Sequence, residues 1–178
     1  MKKKLSVLLA LAMALCLSAC GSKNVKLGEP VEKGVARITV NDVQLGNTHY
    51  VEGGTYSDDF LSPISEDDIE LGDHYIKSFN EDEGVVVISL TMENIGKSDW
   101  TIHPFDYVVN YDDGNKYSSK KCYAKVEGGE WTEFENITLE KVTSGAIEVR
   151  IAVWVPNVII DDSKSLSLDF HGFSYKIR

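Results

Sequence analysis

The ten residues Val85-Val86-Val87-Ile88-Ser89-Leu90-Thr91-Met92-Glu93-Asn94 constrain the fold more than any other stretch. Val86, Ile88, Leu90 and Met92 fall on one side; Val87, Ser89, Thr91 and Glu93 fall on the other. A period of two suits a half-buried strand, whereas a helix needs a period of 3.6. Asn94-Ile95-Gly96-Lys97-Ser98 then supplies a turn, because Asn and Gly accept backbone angles that bulkier residues resist. A second long run aligns Ile147, Val149, Ile151, Val153 and Val155, until Pro156 stops it. Proline has no N–H to give to a central ladder.

The same alternation recurs in shorter pieces. Val35 to Val43 puts Ala36, Ile38 and Val40 one way and Arg37, Thr39 and Asn41 the other. Further strands are expected at His74–Phe79, Trp100–His103, Phe105–Tyr111, Lys116–Ser118, Lys121–Val126, Trp131–Leu139, Leu166–Phe170 and Phe173–Ile177. Asp112-Asp113-Gly114-Asn115 reads as a hairpin turn, since Asp-Gly and Gly-Asn tolerate positive φ. No segment sustains a helical period. Many short strands with turn signals at intervals of about ten residues predict an all-β protein, an antiparallel β-sandwich. Its facing layers are expected from Ile38, Val40, Val86, Ile88, Leu90, Val149, Ile151, Val153, Leu166, Leu168 and Phe170.

The first twenty residues are of another kind. Met1-Lys2-Lys3-Lys4 is basic, and Leu5 to Leu17 is an apolar run interrupted only by Ser6 and Cys16. A spanning helix needs about 20 apolar residues, so the run has secretory-signal proportions instead. Leu17-Ser18-Ala19-Cys20 follows and resembles the lipobox of bacterial lipoproteins: Leu, two small residues, then Cys. The resemblance implies that a diacylglycerol is attached to the Cys20 thiol and that the chain is cut before it. The alternative is a plain signal peptide that happens to contain a Cys. Acyl chains bury enough CH₂ groups to hold a protein on a bilayer without spanning it. The expected organisation is a signal peptide over 1–19, a lipidated flexible tether over 20–34, and one domain over 35–178. The expected location is the cell membrane, lipid-anchored on the extracytoplasmic face. Cys122 is then left alone, so the domain is expected to have no internal disulfide.

Beyond the signal region the residues also suggest a family for the domain. The order is Val85 to Asn94, Gly96-Lys97, Phe105 ahead of a strand, Asp113-Gly114-Asn115-Lys116-Tyr117, then Gly145 with a strand ending at Val155-Pro156. Together they resemble the immunoglobulin-like domain of secreted bacterial lipoproteins, a group related to a secreted immunoprotective mycobacterial antigen. The resemblance covers about Val35 to Arg178. It implies an immunoglobulin-like β-sandwich outside the cytoplasm, and it carries no catalytic residues to transfer.

Charge narrows the partners. The chain has 18 basic and 28 acidic side chains, and three of the lysines lie in the signal region. Such a surface repels nucleic acid and anionic headgroups. Gln44 to Glu83 is the acidic extreme, rich in Asp and Glu with Gly53-Gly54 and Pro63, and reads as a long loop. A helical turn fits at Ser65-Glu66-Asp67-Asp68. Asp58, Asp59, Glu66, Asp67 and Asp68 are the candidate ligands for calcium, a hard ion held by several oxygens. A solvated acidic face is the alternative. No other cofactor is expected. His49, His74, His103 and His171 have no metal-ligand spacing, and no nucleophile elbow or phosphate loop is present. Tyr50, Tyr56, Trp100, Tyr117, Tyr123 and Trp131 sit near turns or loops, where aromatics serve either a binding patch or the ends of a sandwich. The expected function is a non-enzymatic binding or protein-interaction module. Its partners would be the membrane through Cys20 and a protein or cell-envelope ligand, with calcium-dependent adhesion or ligand capture as the alternative.

Overall fold

Glu83–Asn94 is a twelve-residue strand at the heart of the molecule, flanked on both sides by long antiparallel partners. The computed structural model describes residues 22–50, 61–63, 70–71, 74–78, 80–112, 114–119, 121–125, 130–141 and 145–178. In chain order the strands are β1 (Lys23–Val25), β2 (Pro30–Lys33), β3 (Ala36–Asn47), β4 (His49–Tyr50), β5 (Leu61–Pro63), β6 (Glu70–Leu71), β7 (His74–Ser78) and β8 (Glu83–Asn94). They continue as β9 (Trp100–Ile102), β10 (Tyr107–Tyr111), β11 (Asn115–Ser118), β12 (Lys121–Lys125), β13 (Trp131–Phe134), β14 (Ile137–Leu139) and β15 (Ala146–Pro156). A one-turn helix α1 (Asn157–Asp161) leads to β16 (Leu166–Phe170) and β17 (Phe173–Lys176).

Two sheets make the sandwich. One has the order β13-β12-β15-β8-β3-β2, the other β1-β17-β16-β10-β11. Val86, Ile88, Leu90 and Met92 of β8 point inward with Ile38, Val40, Val149, Ile151 and Val153. Tyr107, Val109, Leu166, Leu168 and Phe170 of the second sheet face them in the same core. Alternation therefore does what a half-buried strand requires: every second side chain leaves water, worth roughly 1.5–3 kcal/mol for each large one.

In three places the chain departs from the alternating scheme. In β3 the register shifts between Val40, which pairs with Leu90, and Asp42, which pairs with Ser89, so Asn41 is an extra residue between these pairs. This β-bulge lets Ala36, Ile38 and Val40, then Val43 and Leu45, pack toward one core. The Asn41 amide donates to Thr91 Oγ1 at 2.8 Å. In β8 the outer face is also dry over its first half, where Val85 and Val87 are buried. Ile76 of β7, Tyr123 and Ala152 cover them in a second cluster, with Trp131 and Trp154 at its margin. Thirdly, β1 pairs with β17 in parallel, as β4 does with β7, so the sandwich is not wholly antiparallel.

Several local expectations are corrected. Among the described residues, strand structure is already present at Lys23–Val25 and Pro30–Lys33, ahead of residue 35: Val25 and Val31 are both buried in the sandwich, so this part of the expected tether is built into the fold. Each has a single apolar side chain between polar ones, which is too little signal to separate from a linker. Trp131–Leu139 is two strands with different partners, β13 on β12 and β14 on β9. The acidic segment holds four short strands and is not simply a loop. The turn expected at Ser65 to Asp68 lies outside the described residues. No described helix is long and apolar enough to cross a membrane.

Candidate functional site

Among the described residues a concavity opens where one sheet's edge meets the end of the other. Asn80, Asp82, Glu83, Tyr117, Trp154, Val155 and Pro156 line one hollow of about 260 Å³. Glu83, Lys116, Tyr117, Ser118 and Trp154 line its neighbour, also about 260 Å³. Glu83, Tyr117 and Trp154 are common to both, so the two form one groove.

Each wall has a local cause. Glu83 opens β8 opposite Pro156, the residue that ends β15. The turn before it is fixed by Ser78, whose buried hydroxyl bonds Glu83 Oε2 at 2.6 Å and the Asn80 carbonyl at 2.9 Å. Trp154 lies opposite Val85, on the outer face of the six-stranded sheet. Tyr117 lies opposite Val109 and packs, half-buried, against the main core. It is placed there by the β10–β11 hairpin, in which Tyr111 pairs with Asn115. Asp112 takes positive φ in that turn, 48°, and its carboxylate pairs with Lys164 at 2.8 Å. The Tyr111 hydroxyl donates to Asp162, which holds that carboxyl below its usual range and ties the hairpin to the segment after α1.

Among the described residues, the sequence-selected aromatics do not form one patch. Trp100 packs half-buried against the core, with its ring edge-on to His171 at 6.3 Å. Trp131 lies under the Arg150 guanidinium, 4.4 Å from the ring centroid, and burial lowers that guanidinium's pKa. Tyr123 is fully buried, so its proximity to a turn was misleading. Tyr50 falls in the two-residue β4, and Tyr56 lies outside the described residues. Among the described residues of the group, Tyr117 alone is placed in the groove lining. Trp154, Glu83, Asp82, Asn80 and Lys116 were not singled out from sequence. Trp154 did carry a signal: it is a Trp on the polar side of an otherwise regular alternation.

His103, His171 and Cys122 are packed into the fold away from the groove. His103 Nδ1 meets Asn136 Oδ1 at 2.7 Å, and its ring stacks on Phe105 at 5.1 Å. His171 has positive φ, 47°, and packs edge-on to both Trp100 and Tyr107. Burial lowers its pKa; Asp106 opposes that shift and Lys33 adds to it. The lone Cys122 is buried, with its thiol 3.2 Å from the Phe134 carbonyl, and burial pushes its pKa up to about 12. Among the described residues no cluster of His, Cys, Asp and Glu is placed to hold a metal. Asp58, Asp59, Glu66, Asp67 and Asp68, and likewise Cys20, lie outside the described residues.

No protein-family model matches the chain, and no curated protein matches it. Its fold is similar to that of an uncharacterized β-sandwich protein from Clostridium difficile, with a TM-score of 0.59 and 22% identity over 88% of this chain and 95% of that one. A lipoprotein candidate of Bacillus subtilis, ycdA, aligns at a TM-score of 0.46 and 15% identity, over 86% of this chain and 39% of that one. The yjhA protein of Bacillus subtilis aligns at 0.40 and 14%, over 82% and 78%. At these identities the likeness is one of architecture, and the first of the three is the one close enough to carry it: this chain is a β-sandwich protein.

Proposed function

We propose that this chain is a lipid-anchored, extracytoplasmic binding module that performs no catalysis, built on an immunoglobulin-like sandwich of the kind found in the secreted immunoprotective antigen group. Cys20 would carry the lipid, and the groove beside Glu83 would meet the partner.

The observation that supports this reading is the polarity of the sandwich. Lys23 pairs with Phe173 and its N–H bonds the Gly172 carbonyl, so the chain enters beside His171 and Trp100. The acidic insertion leaves β3 at Asn47 and rejoins β8 at Glu83, which pair across the opposite end at Asn47–Gly84 and Glu83–Pro156. Twelve residues of β8 separate the two ends, about 40 Å at the usual strand rise. A chain tethered a few residues before Lys23 would therefore hold its groove away from the bilayer. This arrangement suits a receptor, whose loops carry the contacts while the sheets hold them rigid.

The test is expression in a lipoprotein-processing bacterium, with cell fractionation and mass analysis of the amino terminus. The expected result is wild-type protein in the membrane fraction, open to protease on the outer side, with a lipidated terminal peptide beginning at Cys20. Cys20→Ala should release it. An unmodified peptide running from position 15 to 25 in the mature protein would sink the anchoring.

A further inference from the structure

We infer, resting on the lipid-anchored reading, that the end of the sandwich from which the chain leads back to Cys20 is a membrane-docking rim. It stands on the headgroup layer of the bilayer that holds the lipid, with the Phe105 ring inserted.

The strand registers build the rim. Lys23 pairs with Phe173, Phe173 with Phe170, and Phe170 with Tyr107, so one row crosses four strands of the five-stranded sheet. Three strand spacings make that row about 14 Å wide. Ser22, the His171-Gly172 turn and the 3₁₀ turn Pro104–Asp106, which leads into Tyr107, lie just beyond it. Lys33 joins them from the other sheet, its Nζ 2.6 Å from the His171 carbonyl. Chain length then decides what faces them. Cys20 precedes Lys23 by three residues, and three residues reach at most about 11 Å. A lipid on Cys20 therefore brings the rim to the headgroups, where a flexible tether running to residue 34 would leave the domain free to swing.

The side chains suit that neighbour. Phe105 is 59% exposed, and its ring is stacked on His103 at 5.1 Å. The imidazole is itself tied to Asn136, so the apolar ring is presented from a fixed base. Such a ring enters the boundary between headgroups and acyl chains favourably. Charge sets the same orientation. Lys23 and Lys33 stand at the rim with Asp106, whereas residues 80–83 and 157–164, at the far end, hold five acidic side chains against one lysine. An anionic bilayer repels the far end more than the rim. One ring makes a weak contact alone. A lipid on the same chain makes the encounter intramolecular, and the high effective concentration makes up the difference.

The test uses the protein isolated from a lipoprotein-processing bacterium and placed in vesicles of phosphatidylglycerol and phosphatidylethanolamine, with the terminal peptide mass read on the same sample. A donor dye on Val158→Cys, at the far end and 67% exposed, reports its distance from an acceptor on the lipid headgroups; the buried Cys122 stays unlabelled. Low transfer is expected, because the length of β8, about 40 Å, then separates dye from bilayer. Phe105→Glu should let the domain tilt and raise the transfer at least twofold, with an unchanged urea midpoint. A nitroxide on Phe105→Cys should be at least threefold less open to a water-soluble nickel chelate in vesicles than in the unlipidated Cys20→Ala protein, at every protein-to-lipid ratio. Equal transfer with and without Phe105→Glu, or an equally open nitroxide, would overturn the inference. Shielding that grows with protein density would overturn it too, by showing that the rim meets a second copy. An unlipidated terminus would sink the anchoring and the rim together, whereas a lipidated terminus with any of the other adverse outcomes sinks the rim alone.

Discussion

The Arg150 guanidinium lies 4.4 Å from the centroid of the Trp131 ring, over the outer face of the six-stranded sheet. Both residues belong to strands flanking β12, so the pair clamps β13 to β15 across it. Partial burial strengthens a cation–π contact, to between roughly 0.5 and 2 kcal/mol. Arg150→Ala and Trp131→Ala should each lower stability. A double-mutant cycle in urea should give a coupling of about 0.5–1 kcal/mol. Additive effects would mean that the ring and the cation are neighbours without attraction.

Gly96 is fixed by a neighbour and not by its backbone angle. A Cβ there would lie 2.1 Å from Val35 Cγ1 and 2.4 Å from Val35 Cβ. Gly96→Ala must therefore displace Val35, which sits where the turn after β8 meets the start of β3. The Ile95 N–H bonds the Val35 carbonyl at 2.8 Å, so the backbone cannot simply swing away. A loss of about 1–3 kcal/mol is expected, the usual cost of overpacking. Val35→Gly in the same chain should recover part of it, measured by the urea midpoint.

These positions show where sequence pattern is informative. Ile38, Val40, Val86, Ile88, Val149, Ile151 and Leu168 were legible as core because each sits in a regular alternation long enough to beat chance. β1 and β2 were not, because each contributes one buried valine. The dry outer face around Val85 and Val87 was not legible either: it depends on Ile76, nine residues or more away and in another sheet. The groove draws on three segments, around residues 82, 117 and 154. No local pattern brings them together; only the strand registers do.

His171 makes stability depend on pH in a definite direction. Its pKa in the fold is lowered below 6.5, first by burial against Trp100 and Tyr107, with Lys33 adding to the shift and Asp106 opposing it. The unfolded chain therefore binds the proton more readily. The contribution is complete above the unfolded value, declines as pH falls below about 6.5, and is gone once pH passes the depressed folded value. Urea midpoints between pH 7.5 and 5 should fall, and part of the fall should vanish in His171→Asn. Asn also accepts the positive φ at that position. An unchanged pH profile in the variant would show that His171 does not titrate in this range.

Cys122 should be silent in the folded protein. Its thiol is buried beside the Phe134 carbonyl, and its pKa is pushed up to about 12, so almost none is thiolate at neutral pH. A disulfide reagent at pH 8 should label it at the rate at which the chain opens, and at once in 6 M guanidinium. Fast labelling of native protein would place the thiol at the surface.

Ile76 tests whether the insertion is part of the domain or an appendage to it. It is 1% exposed and sits with Val85, Val87, Tyr123 and Ala152 on the sheet's outer face. If β7 is an integral cover, Ile76→Ala leaves a cavity in a closed cluster and costs about 2–5 kcal/mol, as buried Ile truncations do. If β7 merely rests on the sheet, it can lift away, and the cost falls toward zero while the rest of the sandwich keeps its stability. Ile88→Ala, on the opposite face of the same strand, sets the scale for an interior position. The expected outcome is a comparable loss in both variants with an unchanged urea slope, because Ile76 closes the outer cluster as Ile88 closes the inner one. The same result would explain how β7 stays fixed beside Glu83, since β7 and β8 are then held together by side chains on the sheet as well as by the Ser78–Glu83 hydrogen bond.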